Sequence, residues 1–270
     1  MGAIERWTEA NAKRIMQILL VAVVLFLWVP LFVVSIMSFS DSGILAFPPD
    51  ELTVDWYRAV LTDSTAREAT MTSIRVSLIA VPSSVVLSTL AAYGLTQYEF
   101  RAKSAFNLLL ILPIVVPLVV TAAALLTFLN DIGIGSGFTS VVIAHIVRAT
   151  PFAALVIIPS FLNFDQSLEE ASKDLGATEL QTFVYVTLPN VLPGIIAGTM
   201  LAFAISFNEF VYTLFVRDTA TQTLPIYIWN EIQFGASPEV NVISVLFILV
   251  SLLAVVLAIV FTRVERLVTT

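Results

Sequence analysis

The sequence predicts an all-α membrane protein with six transmembrane helices and a polar helical corner between the fourth and fifth. Three observations lead there. Hydrophobic residues make up 58% of the 270 and charged residues only 12%, and the mean hydropathy is +0.95, outside the usual composition of a water-soluble domain. The apolar residues fall into six runs, about 15–39, 76–93, 106–129, 139–161, 191–216 and 242–261. Each reaches or nears the ~20 residues that a helix needs to cross ~30 Å of hydrocarbon. The polar stretch 167–189 carries two successive helix-start signals.

Composition also excludes. There is no cysteine, so neither a disulfide nor a thiolate metal site can form, and a single histidine rules out histidine triads and multi-histidine metal sites. A net charge of −7 and a pI near 4.7 argue against nucleic acid as a partner. No catalytic constellation is present, no cofactor is called for, and the lipid bilayer is the one surrounding that the composition demands.

Residues 1–14 are polar, with Arg6, Lys13 and Arg14 ahead of the first run. That run is longer than the core of a secretory signal and reads as an uncleaved first span. In the polar loop 41–72, Pro48 and Pro49 break any helix, and 53–61 reads as a short interfacial helix with Trp56 and Tyr57 as belt aromatics. The third run holds Pro113 and Pro117, each of which removes a backbone donor and must kink or unwind the helix. Residues 130–138, spaced by Gly133, Gly135 and Gly137, read as a turn, since no strand precedes them and no Lys-Ser/Thr pair follows. Pro151 lies within the fourth run, Pro189 and Pro193 open the fifth, and 217–241 is a second polar loop.

In the corner, Ser167 with Glu170 reads as a capping box, and Thr178 with Gln181 repeats it. Gly176 between them supplies the positive φ that ends the first helix. Leu168, Ala171, Leu175 and Thr182 fall roughly on one stripe. Glu170-Ala171-Ser172, three residues, Gly176-Ala177, then Val186, one residue, Leu188 and Pro189 resembles the EAA motif of the permeases of ATP-binding-cassette importers. Ser172 and Val186 depart mildly from its pattern. The resemblance implies that Glu170, Ala171, Ser172, Gly176, Ala177, Leu188 and Pro189 form a cytoplasmic coupling helix docked on an ATP-hydrolysing subunit.

The likeness runs from the first span to the sixth, so it implies one permease domain over 1–270. Ser206-Phe207-Asn208-Glu209-Phe210, the loop 223–229 and the patch 235–241 look most like the second permease subunit of spermidine/putrescine importers. Permeases for ferric iron, thiamine and other small ions share parts of these patches. The implied assembly adds a second permease, two ATP-hydrolysing subunits and an external substrate-binding protein. No Gly-rich phosphate loop with its Lys-Ser/Thr is present here, so ATP hydrolysis is expected on the partner.

Orientation follows from Lys and Arg. With both termini inside a prokaryotic plasma membrane, the inner segments hold Arg6, Lys13, Arg14, Arg101, Lys103, Lys173, Arg263 and Arg266, and the outer loops only Arg58, Arg67 and Arg217.

Two charges lie within apolar runs: Arg148 in the fourth and Glu209 in the fifth. Intramembrane charge costs a few kcal/mol and faces protein or a water-filled path. In an ideal helix both lie roughly 10–14 Å below the outer surface, so the two can pair. Equally, Asn208, Glu209 and Arg148 can line a substrate path, and an ion-coupled secondary transporter remains the rival class. His145, in the fourth run, reads as a packed, hydrogen-bonded histidine.

Overall fold

In the computed structural model, residues 3–41, 47–235 and 238–268 are described. The described chain is helical, without a named strand; one isolated bridge joins Ser40 and Leu52. The helices are α1 (Ala3–Met37), α2 (Asp55–Thr62), α3 (Ser64–Gln97), α4 (Lys103–Val115), α5 (Leu118–Asp131), α6 (Phe138–Leu162), α7 (Ser167–Asp174), α8 (Glu179–Thr182), α9 (Leu188–Phe207), α10 (Val211–Val216), α11 (Leu224–Gly235) and α12 (Pro238–Val268). A π-helical turn, Phe183–Thr187, joins α8 to α9.

Four of the described helical segments are long and apolar enough to cross a bilayer: Ala12–Met37, Ser64–Gln97, Phe138–Leu162 and Glu179–Phe207. Helices α4 and α5 meet at a bend of 110° and make a fifth if the pair counts as one span. The described apolar part of α12 is shorter, Pro238–Val250. Of the patch 235–241, Ala236 and Ser237 lie outside the described residues.

Internal packing divides the chain into two units, Met1–Asp63 with Asn230–Ile248, and Ser64–Trp229 with Leu249–Thr270. In the first, α2 is tied to the end of α1. The Trp56 indole N–H donates to the Ser40 carbonyl at 3.1 Å, and the Ser38 and Tyr57 hydroxyls share a 2.7 Å bond. Trp56 and Tyr57 are thus half-buried in this strap.

The second unit is a bundle in which α3, α6 and α9 pack on one another and α5 and α10 complete one end. Small residues set the close approach. Ala149, Ala153 and Ile157 of α6 are fully buried and share a core with Val191 and Ala202 of α9. A Cβ added to Gly198 would sit 2.6 Å from Ile157 Cγ1, and one at Gly194 would strike Ser160. This is the small-residue spacing by which helices associate without a hydrophobic gradient to drive them. Serines do the same on α3: Ser88 is buried and donates to the Thr150 carbonyl of α6 at 2.8 Å.

Three element boundaries differ from expectation. The second span is longer than 76–93, because α3 starts at Ser64. Its first turns carry Arg67, Glu68 and Arg75, too polar for an apolar run. They still bury Ala66, Ala69, Thr72 and Ser73 on one face, while Arg75 and Glu68 pair at 2.9 Å. The loop expected over 41–72 therefore ends at Asp63. In the third run Pro113 stays within α4, and the chain breaks only at Val116-Pro117. Proline inside a helix costs one donor, which a helix tolerates, whereas Pro117 opens α5, where its missing N–H is one of the orphans anyway. The fifth run is not one helix to 216: α9 ends at Phe207, and α10 begins at Val211.

Candidate functional site

Two places gather the polar groups: the corner 167–189 and the break at 208–210.

The corner is built as two short helices at a glycine. Helix α7 ends in a Schellman arrangement. The Gly176 N–H donates to the Lys173 carbonyl at 2.9 Å and the Ala177 N–H to the Ser172 carbonyl at 3.1 Å, with Gly176 at φ +89°. The next helix opens with the full capping box of Thr178 and Gln181, as the spacing predicts. The first box does not form. Ser167 lies inside α7 rather than ahead of it, and the Asp165 carboxylate accepts the Ser167 N–H at 3.0 Å instead. Bonds from Ser167 hold the Asp165 carboxyl below the usual carboxylate range.

On α7, Glu170 and Ala171 are exposed and Leu175 is 89% exposed, with Leu180 and Tyr185 beyond the turn also open. Thr182 does not belong to that stripe. It is buried and shares a 3.1 Å hydroxyl bond with Ser172. Leu188 is half-buried and Pro189 exposed. Pro189 has no N–H for the Tyr185 carbonyl and its ring would crowd that oxygen. The chain answers by widening into the π turn just before it. Sequence reasoning missed Glu169. Next to the motif residue Glu170, it is buried and accepts from the Thr187 hydroxyl at 2.5 Å and from the Gln97 amide at 3.3 Å. Only a full three-dimensional register could reveal it, since either glutamate fits the local spacing.

At the break, Glu209 folds back to cap the helix that follows it. Its Oε1 accepts the Tyr212 N–H at 2.8 Å. Its Oε2 lies 3.4 Å from Arg148 Nε, an ion-pair distance without hydrogen-bond geometry. The guanidinium also sits over the Phe152 ring, 4.7 Å from its centroid. One turn up α6, His145 is buried and spans the break. Its Nδ1 is 2.9 Å from the Ser206 hydroxyl, before the break, and its Nε2 is 2.9 Å from the Thr213 hydroxyl, after it. Thr213 reaches the Glu209 carbonyl at 3.4 Å. If its proton goes there, Thr213 accepts from Nε2–H and Nδ1 accepts from Ser206. A neutral imidazole has one donor and one acceptor to meet these demands. Ser206 is joined to Ser77 of α3 at 3.2 Å, and the Tyr212 hydroxyl donates to Thr121 of α5 at 2.7 Å. The result is a polar centre that ties α3, α5 and α6 to the broken span of α9 and α10.

Asn208 turns away from this centre. Its amide N–H donates to the Ala204 carbonyl at 2.8 Å, and the residue is exposed. It lines a cavity of about 460 Å³ between α3 and α9, otherwise walled mainly by Leu78, Val81, Met200, Phe203 and Phe207. The structure therefore brings together Arg148 and Glu209 and separates Asn208 from both. Among the described residues no cluster of His, Cys, Asp and Glu is placed to hold a metal ion.

The family described as binding-protein-dependent transport system inner membrane component matches residues 84–270. The spermidine/putrescine transport system permease protein PotC of Haemophilus influenzae is 32% identical over 209 residues, 77% of this chain and 81% of that protein. The putrescine transport system permease protein PotI of Escherichia coli K12 is 32% identical over 230 residues, 83% of this chain and 82% of its own. The molybdenum transport system permease protein ModB of Haemophilus influenzae is 32% identical over 203 residues, covering 69% and 89%. Among solved structures, a chain of a bacterial ABC transporter involved in the import of the acidic polysaccharide alginate shares the fold. It has a TM-score of 0.75 at 15% identity, over 96% of this chain and 98% of that one.

Proposed function

The chain belongs to the family of binding-protein-dependent transport system inner membrane components, and on that premise we propose that it is the permease subunit of an ATP-binding-cassette importer for polyamines. It forms half of the translocation pathway, as one permease domain over the whole chain. The polyamine assignment draws on PotC and PotI, whose matches run over more of this chain than that of ModB. The assembly adds a second permease, ATP-hydrolysing subunits and an external binding protein. The chain crosses a prokaryotic inner membrane six times, with α12 as the sixth span and both termini in the cytoplasm.

The observation that carries the reading is the corner. An eight-residue helix closed at a positive-φ glycine and followed by a capped turn presents Leu175, Leu180 and Tyr185 to the surroundings. Such a projecting apolar knob costs free energy in water and is relieved by a docking partner. ATP-driven closure of that partner then rocks α7 and with it the bundle. The substrate path runs by Asn208, which faces the cavity, while Glu209 and Arg148 hold the break. An ion-coupled secondary transporter would use unpaired intramembrane charge, and these two charges are spent on each other.

The test is uptake of labelled spermidine, putrescine and molybdate by cells lacking their own importers and supplied with this chain and its partners. Polyamine uptake that requires ATP, together with co-purification of an ATPase with the tagged chain, supports the proposal. Molybdate uptake alone, or purification without an ATPase, overturns it.

A further inference from the structure

Glu169 is the buried carboxylate for which neither the motif nor the polar centre accounts. It is 6% exposed, whereas its neighbours Glu170 and Ala171 on the same helix are open. Burying a carboxylate is costly unless its oxygens are bonded, and its Oε1 has two donors from two different elements. Thr187 closes the π turn that leads into α9, and Gln97 is the last residue of α3. The Thr187 hydroxyl donates to Glu169 Oε1 at 2.5 Å. Helices α3 and α9 are the two walls of the Asn208 cavity.

One side chain of α7 thus holds the ends of both helices that bound the cavity. We infer that Glu169 is the positioning residue that transmits movement of the corner to the cavity walls, through Thr187 to α9 and Gln97 to α3. The inference rests on the coupling reading of the corner and adds the route by which it acts. The π turn suits the role. A widened turn is a local irregularity of the helix that can change register over a few residues without unfolding α9. The Glu169–Thr187 bond fixes the end of that turn to the corner.

The experiment uses the complete transporter in proteoliposomes, with putrescine delivered by its binding protein, and reads putrescine imported per ATP hydrolysed. Glu169→Gln removes the charge at constant size, and Thr187→Val removes the donor at nearly constant shape. Each should lower the ratio several-fold while the complex still assembles, and the double variant should be no worse than either single one. Thr187→Ser keeps the hydroxyl and should keep the ratio near that of the unmodified transporter. A purely structural role would lower the amount of complex and leave the ratio unchanged, which would overturn the inference. A control separates this from the reading beneath it. Leu175→Cys, in a chain with no other cysteine, should cross-link to the ATPase subunit. Cross-linking with unchanged ratios in Glu169→Gln and Thr187→Val would discard the Glu169 route and leave docking standing. Absence of cross-linking would discard both.

Discussion

Arg148 on α6 and Glu209 in the break of the fifth span lie 3.4 Å apart and are both largely buried. The carboxylate also caps the helix after the break. A charge pair in this setting does little for net stability compared with a well-packed apolar pair, yet each member is expensive to leave alone.

Removing one partner should therefore be worse than removing both. Glu209→Gln strands the guanidinium and should destabilise by about 3 kcal/mol or more. Arg148→Gln added to it should recover a large part, a coupling that a double-mutant cycle of thermal unfolding in detergent reads directly. Additive losses would mean that the two charges are independent.

His145 should behave as a staple rather than a proton carrier. His145→Ala removes two buried bonds and leaves two hydroxyls to find other partners, at a cost of about 1–3 kcal/mol. Ser206→Ala and Thr213→Ala should each cost less, and neither should add fully to His145→Ala. Unfolding midpoints across the series test this, and full additivity would contradict the shared network.

Gly198 sits where α6 and α9 nearly touch. Gly198→Val should force the helices apart and cost roughly 1–3 kcal/mol through overpacking. The expected readout is a lower unfolding temperature and poor yield. Normal yield would show that the α6–α9 contact is looser than the geometry requires.

Gly176 has φ +89° with open space where a Cβ would go, so the strain there is conformational and not steric crowding. Gly176→Val should cost about 1 kcal/mol or more and leave the chain in the membrane, yet re-aim α7. ATP hydrolysis should continue with reduced uptake. Uptake and stimulated hydrolysis both at normal levels would remove the docking role from the corner.

Orientation is open to a direct chemical test, because the chain has no cysteine. Cysteine at Asp63 should react with an impermeant thiol reagent on intact cells, and cysteine at Lys173 should not. The reverse pattern would turn the protein over and remove the cytoplasmic partner.

The sequence by itself determined the helical class, the apolar runs and the corner, because each depends on local physics. Hydropathy over some twenty residues marks a span, and Gly176 between two capping signals marks a turn. It also placed His145 in a packed site and left Arg148 and Glu209 free to meet. Only the tertiary structure decided that they do meet, that Asn208 and Glu209 face opposite ways, and that Glu169 rather than Glu170 is the buried one of the pair. A largely apolar run conceals a helix break at Asn208-Glu209-Phe210, which Arg148 and His145 of α6 span from outside the run. Adjacent glutamates have equal local propensity, and which one is buried depends on Gln97, seventy-two positions earlier, and on Thr187, eighteen later. Such contacts are set by how helices pack, and packing is a property of the whole bundle that no stretch of sequence carries alone.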